Sequence, residues 1–251
     1  MISLTQRLRA AAVFALVSAG LVSAASAQTA YPNRTITLVL PFAAGSGTDT
    51  TTRIISQHLG AALGVGIVID NKPGANGMIA ATYVARAAPD GYTLFVTTNT
   101  THSANPFLLK TLTYDPVKDF TPIARTGDLP FMLVVNPDLP AKSVAELVAY
   151  GKANPGKLTY ASGSSSSIVS GATFAHNAGI DMLHVPYKSS PPALNDVIGG
   201  QVPIFFGNMA SSLPHVKAGK LRALAITGSK RSDALPDAPT MVEAGLPDYE
   251  V

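Results

Sequence analysis

The sequence contains no cysteine. Structural disulfides, thiolate metal sites and a lipid-modified N-terminal cysteine are therefore excluded. Charge is sparse: only 13% of the residues are Asp, Glu, Lys or Arg, and no stripe of Lys or Arg marks a nucleic-acid surface. Long apolar runs are equally scarce. The run at residues 10–22 is too short to cross a bilayer, which takes roughly 20 residues, and no later segment offers a bilayer-length run. Arg7 and Arg9 precede it and Ala25-Ser26-Ala27 follows it, the parts of a secretory leader cleaved before Gln28. Its removal takes away two arginines and no acid, so the formal charge falls from +3 to +1. The pI of 9.1 thus overstates the basicity of the processed chain. Export without a lipid anchor implies a product free in the periplasm.

Several catalytic signatures are also missing. The histidines (His58, His102, His176, His184 and His215) show neither H-x-x-x-H nor H-E-x-x-H spacing, so no zinc site is expected. There is no G-K-[ST] phosphate loop and no G-x-S-x-G elbow, although Ser46 and Ser164 each follow a glycine and leave a hydrolase reading open. No catalytic residue, cofactor or metal is expected.

What is present is a well-packed apolar chain, 47% hydrophobic, in which strand-like and helix-like segments alternate. That alternation predicts an α/β fold with a mainly parallel sheet. Strands are expected at 36–42, 65–70, 93–98, 131–135, 158–161, 184–187, 202–206 and 221–226. A helix from near Asp49 to Gly64 follows from Ile54, Ile55, Leu59, Ala62 and Leu63 at helical spacing. Others are expected at 78–87, from the capping box Ser143-Val144-Ala145-Glu146 to Ala153, through Phe174 to Ala178, and from Pro191-Pro192 to Gly199. Asn71-Lys72-Pro73-Gly74 is a turn, and 102–128 follows no regular pattern.

One arrangement occurs twice: a buried strand runs into a loop of small residues and a helix starts at once. The loops are P-F-A-A-G-S-G-T-D, Pro41 to Asp49, and A-S-G-S-S-S-S, Ala161 to Ser167. Small residues let backbone approach a ligand, and a helix N-terminus offers unpaired N–H groups with partial positive charge. Together they suit an anion, here a carboxylate rather than a polyphosphate because neither loop carries Lys or Arg. Ordinary helix capping by Thr48, Asp49, Ser166 or Ser167 explains either loop equally well by itself. Asn99, in the hydroxyl-rich run Thr97 to Thr101 at a strand end, is a further candidate contact, and His102 is placed to approach the same cleft.

The chain resembles the substrate-binding receptors of tripartite tricarboxylate transporters, the TctC-like or Bug family. The resemblance rests on Y-P-N-R-T-I-T-L-V-L-P-F-A-A-G-S-G-T-D, D-N-K-P-G-A-N-G, A-A-P-D-G-Y-T-L, Y-D-P-V-K-D-F-T-P-I-A, N-P-G-K-L-T-Y-A-S-G, H-V-P-Y-K, A-L-N-D-V-I-G-G-Q-V and A-G-K-L-R-A-L-A-I-T, in that order from Tyr31 onward. It implies a type II periplasmic binding protein fold: two α/β lobes joined by crossing segments and closing on ligand. It implies a monomeric receptor that carries a small carboxylate, aromatic or dicarboxylic, to membrane permease subunits. The alternative on the same fold is a sensor signalling to a membrane kinase. Carried onto this chain, the ligand contacts are Phe42, Ala44, Gly45, Ser46, Thr48 and Asp49 from one lobe and Gly163, Ser164, Ser165 and Ser166 from the other.

The lobes are expected at 28–128 and 129–219, with 220–251 returning to the first lobe and relatives continuing beyond Val251. Ser46 stands where glycine is common. Ile168-Val169 replaces more polar residues and suggests an apolar wall favouring a ring or alkyl chain.

Overall fold

The computed structural model describes residues 30–249, so the expected leader lies outside the described residues. The first unit is built from β1 (Ile36–Leu40), α1 (Gly47–Leu63), β2 (Ile67–Asn71), α2 (Met78–Ala85) and β3 (Thr93–Phe95). A π-helical turn at Thr100–Ala104 then runs into the short α3 (Asn105–Leu108). The three strands form a parallel sheet in the order β2-β1-β3. Leu38 sits in register with Ile69 on one side and Leu94 on the other. Ile36, Leu38 and Leu40 form a buried cluster on one face, and Val39, Ala80 and Ala81 are also buried in this unit.

α1 runs from a Ser46 cap to Gly64 in the left-handed conformation, close to the expected span. Its buried face differs from the one its apolar spacing suggests. The buried residues are Gly47, Thr48, Asp49 and Thr52 at its start, whereas Ile54 is 58% exposed. The helix is held by its polar first turns, next to the cleft, more than by an apolar stripe.

The second unit contains β4 (Phe131–Val135), α4 (Val144–Ala153), β5 (Leu158–Ser162), α5 (Ser165–Ala178), β6 (Met182–Pro186), α6 (Ser190–Ile198), β7 (Ile204–Asn208), α7 (Met209–Lys217) and β8 (Arg222–Ile226). Its sheet has the order β6-β5-β7-β4-β8. β4 runs antiparallel to both neighbours, so this sheet is mixed and the expectation of a mainly parallel sheet holds only for the first unit. The reason is geometric. β5 and β7 end at the cleft, whereas the chain arrives from the first unit at that same end and β4 starts there, with Pro130 and Phe131 on the cleft wall.

Side chains on β4 alternate between two cores, as strand geometry requires. Leu133 and Val135 join Leu147 of α4 and Phe174 of α5. Met132 and Val134 join Leu194 and Val197 of α6. A bulge between Leu133 and Val134 shifts the pairing with β8. Both Leu224 and Ala225 then face the first of these cores.

The expected end of the second lobe at Gly219 is corrected. β8 pairs with β4 in the same sheet. Met241, Leu246 and Tyr249 pack into the core of Leu133 and Phe206, and the Tyr249 hydroxyl donates to the Ser170 carbonyl at 3.0 Å. Residues 222–249 therefore stay on the second unit, where Met241, Leu246 and Tyr249 pack on one face of its sheet and Ile226 and Ala238 on the other.

Candidate ligand-binding cleft

A cavity of about 850 Å³ lies between the units, where β1, β3 and β7 end. The first loop contributes Phe42, Ser46, Gly47 and Thr48 to its wall, and the second contributes Ser164 and Ser166. Asn99 lines it too, as do His102, Ser190, Asn208 and parts of the crossing segment at 124–131 and of the loop at 227–229. A separate cavity of about 670 Å³ lies wholly within the second unit, beside β8, and touches neither loop.

The helix caps fall at least two residues earlier than expected. Ser46 Oγ accepts from the Asp49 N–H at 3.2 Å, and Ser164 Oγ accepts from the Ser167 N–H at 3.2 Å. Each hydroxyl uses a lone pair for the cap and keeps its proton to donate. The N–H groups of Gly47 and Thr48, and of Ser165 and Ser166, fall in first turns, where the helix itself provides no acceptor. Two helix starts thus face one cavity from opposite units. α6 adds less, because Pro191 and Pro192 in its first turn have no N–H to offer. At α7 the first N–H is taken, Met209 donating to the Pro130 carbonyl at 2.9 Å.

Asp49 braces the first loop from beneath and does not line the cavity. Its carboxylate accepts from the Gly45 N–H at 2.9 Å, from Arg53 at 2.9 and 3.0 Å, and from Asn71 at 3.1 Å. Asn71 also donates to the Phe42 carbonyl at 2.9 Å, tying β2 to the loop. Burial pushes the Asp49 pKa up, but the bonds from Arg53, Gly45 and Asn71 outweigh it, and the net shift is below the ordinary 3.8.

Of the residues expected from sequence, Phe42, Ser46, Thr48, Asn99, Ser164 and Ser166 line the cavity. Ala44 and Gly45 are exposed on the loop but lie off its wall. Gly163 and Ser165 lie beneath the surface. A Cβ on Gly163 would stand 2.5 Å from the Ser189 carbonyl carbon and the Ser190 nitrogen, so glycine there allows α6 to start against the second loop. Ser165 is fully buried and its hydroxyl donates to Asn105 Oδ1 across the units at 2.9 Å. Ile168 and Val169 do not line the cavity, so the apolar wall expected there is absent. Their place on α5 turns them away from the loop that precedes them.

Sequence reasoning missed Asn208, Thr227 and the crossing-segment residues, which reach the cleft only through the sheet order. His102 does line it. Its Nδ1 lies 2.7 Å from Thr97 Oγ1 and 3.1 Å from Thr101 Oγ1, and its ring sits 4.9 Å from that of Phe120. Burial lowers its pKa below 6.5, which favours the neutral ring. The cationic side chain on the wall is Arg125, and it is ion-paired with Asp128. The wall is therefore close to neutral and rich in hydroxyls, with helix starts as its positive features. Among the described residues neither Ser46 nor Ser164 hydrogen-bonds a histidine; each hydroxyl accepts a helix-cap bond instead. Among the described residues no group of acids and histidines could hold a metal ion.

Residues 51–251 match the family model described as "Tripartite tricarboxylate transporter family receptor". The chain is 39% identical over 223 residues to a UPF0065 protein of Bordetella bronchiseptica, covering 89% of this chain and 66% of that protein. It thus spans just under two thirds of that relative's length. Among solved structures it is similar to R. palustris Rpa4515 with adipate, at a TM-score of 0.87 and 39% identity over 88% of this chain and 75% of that one. It is also similar to the periplasmic binding protein BugD, at a TM-score of 0.84 and 36% identity over 88% and 74%. The two-unit α/β architecture is accordingly that of periplasmic binding proteins. With the family model covering most of the chain and the fold and cleft agreeing with it, this protein belongs to the tripartite tricarboxylate transporter receptor family.

Proposed function

We propose that this chain is an exported solute receptor that holds a small carboxylate between the first turns of α1 and α5 and delivers it to membrane permease subunits. The observation that carries the reading is the meeting of those two helix starts, one from each unit, on a single cavity of about 850 Å³. Backbone N–H groups and the Ser46, Thr48, Ser164 and Ser166 hydroxyls supply donors for a carboxylate without a buried cation. The adipate held by the similar R. palustris protein belongs to the same chemical class. The leader motif at residues 7–27 supports release into the periplasm after cleavage before Gln28. The receptor acts as a monomer, since each chain supplies both walls of its own cleft.

A thermal-shift screen tests the ligand class. Adipate, malate and benzoate are compared with adipamide, which keeps the shape of adipate and loses its charge. A native-state ligand at a hundredfold excess over Kd adds roughly 2.7 kcal/mol. At least one carboxylate is expected to raise the melting midpoint while adipamide does not. An equal shift from adipamide, or none from any carboxylate, would remove the basis for this function. Capture of the permease subunits by the carboxylate-loaded receptor, and the N-terminal sequence of the exported product, test delivery and cleavage.

A further inference from the structure

Hydrogen bonds cross from residues 99–105 of the first unit to the first turn of α5 in the second. Ser166 Oγ donates to Asn99 Oδ1 at 2.8 Å and lies 3.4 Å from Thr100 Oγ1. Ser165 Oγ donates to Asn105 Oδ1 at 2.9 Å. The two crossings sit in different surroundings. Asn99 is exposed and lines the cleft, where water and ligand compete for it. Asn105 and Ser165 are both fully buried and neither lines the cleft.

Asn105 is held on every side. Its Nδ2 donates to the Asn76 carbonyl at 2.9 Å and to the Tyr114 hydroxyl at 3.3 Å. The Tyr114 hydroxyl in turn donates to the Thr101 carbonyl. A carbonyl can only accept, so the Asn76 contact fixes which end of the amide is nitrogen and leaves Oδ1 for Ser165. The Asn76 carbonyl is itself presented by left-handed backbone at Ala75 (φ 47) and Asn76 (φ 51). Beside it, a Cβ on Gly77 would come within 2.8 Å of Pro41 and 2.7 Å of Thr101. The segment D-N-K-P-G-A-N-G, which supplies nothing to the cleft wall, thus supports the residue that reaches the other unit.

We propose that Asn105 is a positioning residue for the cleft. It does not touch ligand. Through Ser165 it fixes how closely the start of α5 approaches the first unit, and so sets the spacing between the two carboxylate-facing loops. When the units part, Asn105 Oδ1 and Ser165 Oγ lose each other. When they meet, the amide is satisfied throughout. Removing the serine hydroxyl leaves a buried acceptor unpaired only in the closed arrangement, which therefore loses population by about tenfold.

The test needs no ligand, so its failure would leave the carboxylate reading standing. Because the sequence has no cysteine, Ala61→Cys on α1 and Lys152→Cys on α4, both exposed, carry the only two spin labels. Pulsed electron resonance then reads the distance between the units. The labelled parent is expected to give one narrow distribution. Ser165→Ala is expected to add a longer-distance population, a result that a purely structural role would not produce. Asn105→Ala should widen it similarly, and the double variant no further than Asn105→Ala does. The proposal is overturned if Ser165→Ala and Asn105→Ala both keep the parent distribution. It is equally overturned if Ser165→Ala lowers the melting midpoint without a change in distance, or if only Asn99→Ala widens the distribution.

Discussion

In the second unit both faces of the sheet are covered. Phe206 packs between Tyr160 and Phe174 on one face, while Phe205 joins Ala193, Leu194 and Val197 on the other. In the first unit Ile36, Leu38 and Leu40 cluster on one face and Val39, Ala80 and Ala81 are buried as well, but Val68, Ile79 and Phe107 are half-exposed or more. Each unit nevertheless presents one small-residue loop to the same cavity. The second loop is carried by an apolar core beneath it. The first is carried by a polar brace, in which the Asp49 carboxylate gathers the Gly45 N–H, Arg53 and Asn71. A loop can be made rigid by either route, but the two routes respond to different insults: cavities damage the first kind of support and protonation damages the second.

The largest expected effect concerns the apolar side. Phe206→Ala should cost about 3–5 kcal/mol of stability in urea unfolding, and Leu38→Ala should cost less, near 2 kcal/mol, because its surroundings are only partly closed. A larger loss from Leu38→Ala would break the comparison. Next comes the close approach at the second loop. Gly163→Ala forces a Cβ against backbone at 2.5 Å, whereas Gly45→Ala meets nothing nearer than 3.8 Å and carries only its positive φ of 79. That left-handed cost is about 1–2 kcal/mol, roughly tenfold in calorimetric affinity for the carboxylate that the thermal-shift screen selects. Gly163→Ala is expected to lose more than this, and Ser164→Ala less than Gly163→Ala; the reverse order would show that hydroxyls dominate the grip.

The polar brace gives the third prediction. The Asp49 pKa lies below 3.8 in the folded chain, so its stabilisation is complete above that value and is lost as pH falls through the folded pKa. Asp49→Asn should cost about 1.5 kcal/mol at neutral pH and should flatten the acid side of the first unit's unfolding profile. An unchanged acid profile in Asp49→Asn would falsify the brace. The smallest effect belongs to the histidines. His102 in the first unit and His184 in the second are both held below 6.5 by burial. The unfolded chain takes up their protons first, so stability is full above about pH 6.5 and declines below it. Melting midpoints should fall from about pH 7 to about pH 5, with His102→Gln and His184→Gln each removing part of the slope. A midpoint that rises on acidification would contradict the burial of both rings.

Much of this cleft was legible because its parts are local. A strand, a small-residue loop and a helix start within nine residues of each other announce themselves, and Ser46 and Ser164 stand out before any contact is known. The caps were misplaced because Thr48, Asp49, Ser166 and Ser167 all suit a cap by residue type, and only backbone geometry picks one. What sequence could not show depends on distant partners. Ser165 reads as one serine among four, and its burial against Asn105, 60 positions away, separates it from Ser166, which lines the cleft. Ile168 and Val169 follow the loop in sequence but turn away from it on the helix. The reversal of β4 likewise follows from where the chain enters the second sheet, which no periodicity within Phe131–Val135 records.

The start of α1 meets the start of α7 where Gly47 has no side chain: a Cβ there would lie 1.9 Å from Asn208 Oδ1. That gap works as the rebate of a door frame, the recess that lets a leaf shut flush. Any methyl group at position 47 is a wedge in that recess, small enough to spare each unit's interior yet large enough to hold the leaves ajar. The approach of α1 to α7 is therefore limited by one missing carbon atom.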